Sequence, residues 1–263
     1  MLEVQPYLRR IGYQGPIAAD PTVLSALHRA HLLAVPFENL DIHLGRPIVL
    51  SVDRFFEKIV ADRRGGFCYE LNGLFAALLR ELGFRVALLS ARVVGPDGRV
   101  SPPFDHLTLS VECPGSPQRW LCDVGFGDGF LEPLPLVAGT EHAQENGLYR
   151  LEADGGEYVL LRRTGAQDAA TAQYRFTTEP HELAAFADMC EYQQTSPESH
   201  FTQQRVCSLA TPEGRITLTG SRLLLTRGGE RSEVPIEDEA AYRGALAEWF
   251  GITIGTGSPG EDD

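Results

Sequence analysis

The hydrophobic period of this chain first changes at Gly83-Phe84, and that change restricts the folds open to it. Before that point apolar residues recur at helical spacing; after it they alternate. Asp20 is placed to cap a helix with Pro21 at its first position. Leu24, Leu27, His31 and Ala34 follow on one face, and the segment stops before Pro36. Ser51 is placed to cap a second helix through Val52, Phe55, Phe56 and Ile59. The clearest helix starts near Phe67, with Leu71, Leu74, Phe75, Leu78, Leu79 and Leu82 in register over three turns. Gly83 lies just past its end, where a left-handed C-cap belongs.

From Phe84 the segments 84–94, 106–112, 119–127, 149–153 and 157–163 read as strands separated by Gly- and Pro-rich turns. They predict an antiparallel sheet or a small barrel. A short helical piece near 181–192 follows, then a meander over 206–211, 214–220 and 221–229. Asp238 caps a last helix through Tyr242, Leu246, Trp249 and Phe250, and the tail from Gly255 reads as frayed. Helices, then strands, then a mixed end make an α+β fold, not a doubly wound sheet. The division expected is 1–83 helical, 84–190 barrel and 191–263 α/β. The length suits one large domain or two to three small ones closely packed. No GxGxxG follows a first strand, and there is no P-loop.

Composition narrows the function. Of 263 residues, 43% are hydrophobic and 22% charged, which excludes wholesale disorder. A net charge of −13 argues against nucleic acid as the main partner, because a polyanion needs a basic surface. Lys58 is the only lysine. The arginine bias reads chiefly as the base composition of the gene, yet arginine keeps its charge when buried and grips anions bidentately. No apolar run approaches the roughly eighteen residues of a membrane span, and the N-terminus has no signal-peptide core. The sequence therefore predicts a soluble, cytoplasmic protein with no membrane partner. Five cysteines without a CxxC pair predict free thiols, and the histidine spacing suggests no metal site.

Cys68 lies at the first turn of the best helix, in RRGGFCYELNG. The helix N-terminus and the charges of Arg63 and Arg64 favour a thiolate there. Gly65 and Gly66 allow a sharp turn and leave space for a ligand. A buried core cysteine beside a turn is the alternative. A nucleophile needs a base, and the base an orienting group. His106 opens a strand in which Leu107, Leu109 and Val111 take one face and His106, Thr108 and Ser110 the other. Asp123, among apolar neighbours in the next strand, is placed either to hold the His106 ring or to cap the Gly125 turn. The other six histidines fall on helices or loops without such a setting. The alternating glycines of Gly125-Phe126-Gly127-Asp128-Gly129 offer amides that converge on an anion, or form an ordinary turn.

Arg64-Gly65-Gly66-Phe67-Cys68-Tyr69-Glu70-Leu71-Asn72 resembles the signature of the arylamine N-acetyltransferases. Val35-Pro36-Phe37-Glu38-Asn39-Leu40, Asp105-His106-Leu107, Asp123-Val124-Gly125-Phe126-Gly127 and Thr195-Ser196-Pro197-Glu198-Ser199-His200-Phe201 resemble further blocks of that family, in the expected order. The resemblance implies a helical bundle, a β-barrel and a C-terminal α/β lid, with a papain-like triad of Cys68, His106 and Asp123. It implies acetyl-coenzyme A as cosubstrate, no metal, and transfer of acetyl to the nitrogen of an arylamine, arylhydrazine or N-hydroxyarylamine. It also implies that Phe37, Phe126 and Phe201 line the substrate pocket, where the alternative is simply core. Gly125, Phe126 and Gly127 would lie against coenzyme A, and Glu38 with Arg64 would brace the cysteine loop. Phosphate contacts would fall to Arg222, Arg227, Arg231 or backbone amides, and the oligomeric state stays open.

Amide synthases of the same family, which close a macrolactam from a polyketide thioester, share the triad. A cysteine protease or transglutaminase more often places Trp directly after the nucleophile than the Tyr69-Glu70 found here. A non-catalytic binding protein would tolerate loss of a triad member, and all three are present.

Overall fold

The computed structural model describes residues 2–165 and 167–254; the tail expected to fray lies outside the described residues. The N-terminal helices are α1 (Val4–Arg10), α2 (Pro21–Ala34), α3 (Leu40–His43), α4 (Val52–Phe56) and α5 (Cys68–Glu81). The Asp20 carboxylate accepts the Val23 N–H at 2.9 Å, so α2 begins where the capping pattern put it. Gly83, with φ of +92°, ends the turn after α5 in a conformation costly for any side chain. The helix from Ser51 is shorter than its period suggested. After Phe56 it widens into a π turn, Glu57–Ala61, and the Ser51 hydroxyl makes no cap bond.

The strands are β1 (Phe37–Glu38), β2 (Arg85–Val93), β3 (His106–Glu112), β4 (Arg119–Cys122), β5 (Leu134–Pro135), β6 (Glu141–Gln144), β7 (Gly147–Asp154), β8 (Glu157–Arg163) and β9 (Thr171–His181). Beyond them lie β10 (Val206–Thr211), β11 (Gly214–Thr219), β12 (Arg222–Arg227) and β13 (Glu230–Pro235). Eight strands form one antiparallel sheet, in the order β5-β4-β3-β2-β9-β8-β7-β6, curled into a nearly closed barrel. Gln144 of edge strand β6 closes on the segment just before edge strand β5: its side chain accepts the Leu131 and Glu132 N–H groups and donates to the Glu132 carbonyl. This amide stands in for ladder bonds that the seam lacks. The second sheet runs β1-β10-β11-β12-β13, so a strand from the helical segment edges the C-terminal meander. The remaining helices are α6 (Ala187–Thr195), α7 (His200–Gln203) and α8 (Glu239–Phe250). The fold is α+β.

The strand alternation positions the site. Leu107, Leu109 and Val111 of β3 join Leu71, Leu74, Phe75 and Leu78 of α5 in one core. All seven are fully buried, each contributing about 1.5–3 kcal/mol. A second core fills the barrel around Leu121, Phe130, Tyr149, Tyr174 and Phe176. A third lies between the five-stranded sheet and α8, with Leu218, Leu223 and Leu246. Packing α5 onto β3 brings the N-terminus of one to the first residue of the other.

Candidate active site

Cys68 is the first residue of α5, and the loop before it is held by side chains packed below. A Cβ at Gly65 would sit 2.0 Å from the Pro36 carbonyl oxygen, and one at Gly66 would sit 2.8 Å from the Glu70 Cβ. The space beside these glycines is therefore filled by protein, not left for a ligand as the sequence suggested. Arg64 lies 2.8 Å from Glu38 and 3.0 Å from Asp41; Lys58 lies 2.7 Å from Asp41 and 2.8 Å from Glu70. Glu70 also accepts the Phe67 N–H at 3.0 Å, which caps the helix. With every group ionised, three carboxylates and two cations give this buried cluster a net charge of −1. The positive charge expected from Arg64 is thus compensated before it reaches the thiol. Burial pushes the Glu70 carboxyl up to about 7 against the pull of Lys58.

Asp123 directly follows β4, and its two oxygens divide their partners. Oδ2 accepts the His106 Nε2–H at 2.6 Å. Oδ1 accepts the Asn72 amide at 2.9 Å and the Gly125 N–H at 3.0 Å. The two readings of Asp123, ring holder and turn cap, are both satisfied at once. Burial pushes its carboxyl up, but the His106 charge and these hydrogen bonds outweigh that and hold it below the usual carboxylate value. An ionised carboxylate only accepts, so in the neutral form of the ring the His106 proton sits on Nε2 and Nδ1 keeps its lone pair. The ring is fixed by Phe126 and Tyr174, each with its centroid 5.2 Å away.

Burial pushes the Cys68 thiol up, and the charges of Asp105 and Asp123 add to the rise against a hydrogen bond from the Leu107 amide. Burial thus opposes the pull toward thiolate expected from the helix terminus and the upstream arginines. A thiol so enclosed ionises at least cost when its proton passes to His106, so that the two charges form as a pair. All five cysteines are free and buried.

A cavity of about 480 Å³ is lined by Cys68 and His106 together with Phe37, Phe126 and Phe201. Gly125 and Gly127 also face it, whereas Asp123, Glu38 and Arg64 do not line it. Phe37 and Phe201 approach with centroids 6.1 Å apart. Ser208, Arg215, Thr217 and Thr219 form another wall. Arg222, Arg227 and Arg231 do not line this cavity; Arg222 is paired with Glu233 at 3.0 Å.

Several residues of the site escaped the sequence. Asn72, one turn below Cys68, donates to the Leu107 carbonyl at 2.6 Å and accepts the Val124 N–H at 2.9 Å. It ties the helix to both segments that carry His106 and Asp123. Its signal was a lone polar residue on an apolar helical face, which must have a partner when buried. His28 does have a setting after all. It is fully buried, accepts the Asp123 N–H at Nε2 (3.0 Å) and donates from Nδ1 to the Leu131 carbonyl (2.9 Å). Burial lowers it to about 4, which keeps it neutral for that acceptor role. Gln193 bridges Asp105, next to His106, to Ser199, whose hydroxyl also accepts the Phe201 N–H.

A cysteine at a helix N-terminus, a histidine oriented by a buried carboxylate and an aromatic-walled cavity are the parts that thiol-based acyl transfer requires. A family model described as N-acetyltransferase matches residues 20–258. The arylamine N-acetyltransferase of Mycolicibacterium smegmatis is 37% identical over 258 residues, covering 97% of this chain and 93% of that protein. Arylamine N-acetyltransferase 2 of Mus musculus is 31% identical, covering 96% and 95%. The structure of Mycobacterium marinum arylamine N-acetyltransferase in complex with CoA superposes with a TM-score of 0.89 at 36% identity, over 95% of this chain and 93% of that one. The chain belongs to the arylamine N-acetyltransferase family, a family of acyltransferases. Among the described residues no helix is long and apolar enough to cross a membrane.

Proposed function

We propose that this protein moves an acetyl group from acetyl-coenzyme A to the nitrogen of arylamines, arylhydrazines or N-hydroxyarylamines, in two half-reactions through an acetyl-Cys68. The observation that carries the reading is the 2.6 Å bond from His106 Nε2 to Asp123 beside a cavity that also holds Cys68. His106 Nδ1 takes the thiol proton, and the sulfur attacks the thioester carbonyl. The tetrahedral intermediate expels coenzyme A thiolate, which takes the proton back from His106 and leaves as the thiol. The acceptor nitrogen then attacks the acetyl-cysteine carbonyl, His106 removes its proton, and the C–S bond breaks to release the amide and restore the cysteine.

Asp123 holds the ring in the required tautomer and stabilises the imidazolium. The backbone N–H of Cys68, at the start of α5, is the natural oxyanion donor. Phe37, Phe126 and Phe201 stack on the aromatic acceptor, and the 125–129 loop lies against the coenzyme A arm. Glu38 and Arg64 brace the loop before Cys68. The division into helical, barrel and lid units at 83 and 190 is part of the same reading. The names of the relatives support acetyl transfer over macrolactam closure. Incubation with acetyl-coenzyme A alone should raise the intact mass by one acetyl group, located on the Cys68 peptide. Adding an arylamine should discharge it as the amide. Label on Cys113 or Cys207, or none at all, defeats the proposal.

A further inference from the structure

Side chains alternate along β11. Ile216 and Leu218 enter the core beside α8, while Arg215, Thr217 and Thr219 face the cavity that holds Cys68 and His106. Ser208 of β10 stands opposite Thr217 in register, with the two hydroxyls 2.8 Å apart. One side of the cavity is thus aromatic, and this side is a row of hydroxyls ending in a guanidinium. Apart from its histidines, the charged side chains lining the cavity are Arg215, Asp105 and Asp128. Asp105 is held by the neutral Gln193 amide and keeps its negative charge beside Cys68 and His106. Asp128 is shared by two arginines, Arg162 at 2.9 Å and Arg215 at 3.0 Å. Two guanidiniums on one carboxylate leave a surplus of one positive charge.

Arg215 spends its remaining bond on a neutral group, from Nη1 to the Ser208 hydroxyl at 3.1 Å. Its Nη2 has no hydrogen-bond partner among the described residues. The side chain is 13% exposed. An enclosed guanidinium with uncompensated charge and an open donor edge suits a planar or tetrahedral oxyanion, because it supplies parallel N–H groups of fixed geometry. Its place on the cavity wall means that the anion arrives as part of a molecule lying in that cavity.

We propose that Arg215 recognises an oxyanion carried by a substrate, whether a carboxylate on the aromatic acceptor or a phosphate of the donor. The proposal rests on the acyl-transfer reading of the same cavity. It places anion recognition on the C-terminal sheet, at a residue that no sequence motif marks.

Calorimetric titration of the unmodified protein, Arg215→Gln and Arg215→Lys with two matched pairs tests it. One pair is 4-aminobenzoate and its methyl ester; the other is coenzyme A and pantetheine, which lacks the phosphates. Loss of a charged contact should cost Arg215→Gln on the order of tenfold or more in affinity for the charged member of one pair, beyond any loss for its neutral counterpart. Arg215→Lys should recover part of that difference. A selective loss for aminobenzoate identifies the carboxylate, and one for coenzyme A identifies the phosphate. Equal changes within both pairs, or none, overturn the proposal and leave Arg215 as a strut between β11 and the 125–129 loop. Because binding is read without turnover, charge-blind binding with intact acetyl transfer overturns this inference alone. Charge-selective binding without acetyl transfer overturns only the functional reading.

Discussion

The Asn72 side-chain amide donates to the Asp123 carboxylate at 2.9 Å, from a position one helical turn below Cys68. With its bonds to the Leu107 carbonyl and the Val124 N–H, it holds three segments at fixed separation. Asn72→Ala takes its bond from the buried Val124 N–H, the Leu107 carbonyl and the Asp123 carboxylate, and a buried group left unpaired costs about 1–3 kcal/mol. A loss of roughly 2–5 kcal/mol in urea melts is expected, with turnover down by at least about tenfold. Asn72→Asp should do worse, because it sets a second carboxylate against Asp123. Wild-type stability in Asn72→Ala would show that the three bonds are dispensable.

Asp123→Asn should lower activity by on the order of a hundredfold or more, since an amide cannot stabilise the imidazolium and permits the wrong tautomer. The Asp123 carboxyl is held below its ordinary value in the fold. Its contribution is therefore present above the unfolded carboxylate value of about 3.9 and fades as pH falls through the lower folded value. Urea melts from neutral pH down to acid should show a shallower acid loss in Asp123→Asn than in the unmodified protein. Parallel acid limbs would contradict the assigned charge state.

Gly125→Ala places a Cβ 2.8 Å from the Cys68 Cα and 2.7 Å from the Asn72 amide nitrogen. Neither neighbour can yield without moving the helix start. The variant should lose about 1–3 kcal/mol and most of its turnover. Gly129→Ala is the control, since its nearest neighbour would be 3.6 Å away. Equal tolerance of both substitutions would mean that the 125–129 loop shifts freely over the cysteine.

Glu70 carries the opposite pH signature. Its folded value is raised to about 7, so the protonated form is favoured in the fold. That contribution is full below the unfolded value of about 4.3 and is lost as pH rises through about 7. Relative to the unmodified protein, Glu70→Gln should gain stability between pH 5 and pH 8. A difference that stays constant across that interval would place the surplus charge of the buried cluster elsewhere.

How much of this was legible depends on how each segment buries its side chains. α5 and β3 carry strong periods because each buries a continuous apolar row, and both were readable to within a residue. β9 was missed because only Tyr174 and Phe176 of its eleven residues are buried, too few to register as alternation. β13 was missed because all six of its residues are exposed, as an edge strand permits. β1 is two residues long and exists only because β10 lies beside it. At the site, Cys68, His106 and Asp123 could be singled out from their chemistry, whereas the roles of Phe37, Phe126, Phe201, Glu38 and Arg64 rest only on the family resemblance. Arg215 and Gln193 act through partners more than eighty residues away, Asp128 and Asp105, and no local pattern marks that. The sign of the Cys68 shift was also beyond the sequence, because the depth of burial that decides it comes from packing.

Lys58, the sole lysine, is held by Asp41 and Glu70 beneath the loop that presents Cys68. The acetyl-Cys68 proposed above would meet no freely exposed lysine amine on the protein's own surface. Amine-directed reagents accordingly find no lysine to modify while the helical segment stays closed. The appearance of a modified Lys58 becomes a direct chemical clock for the opening of the ionic cluster under the nucleophile.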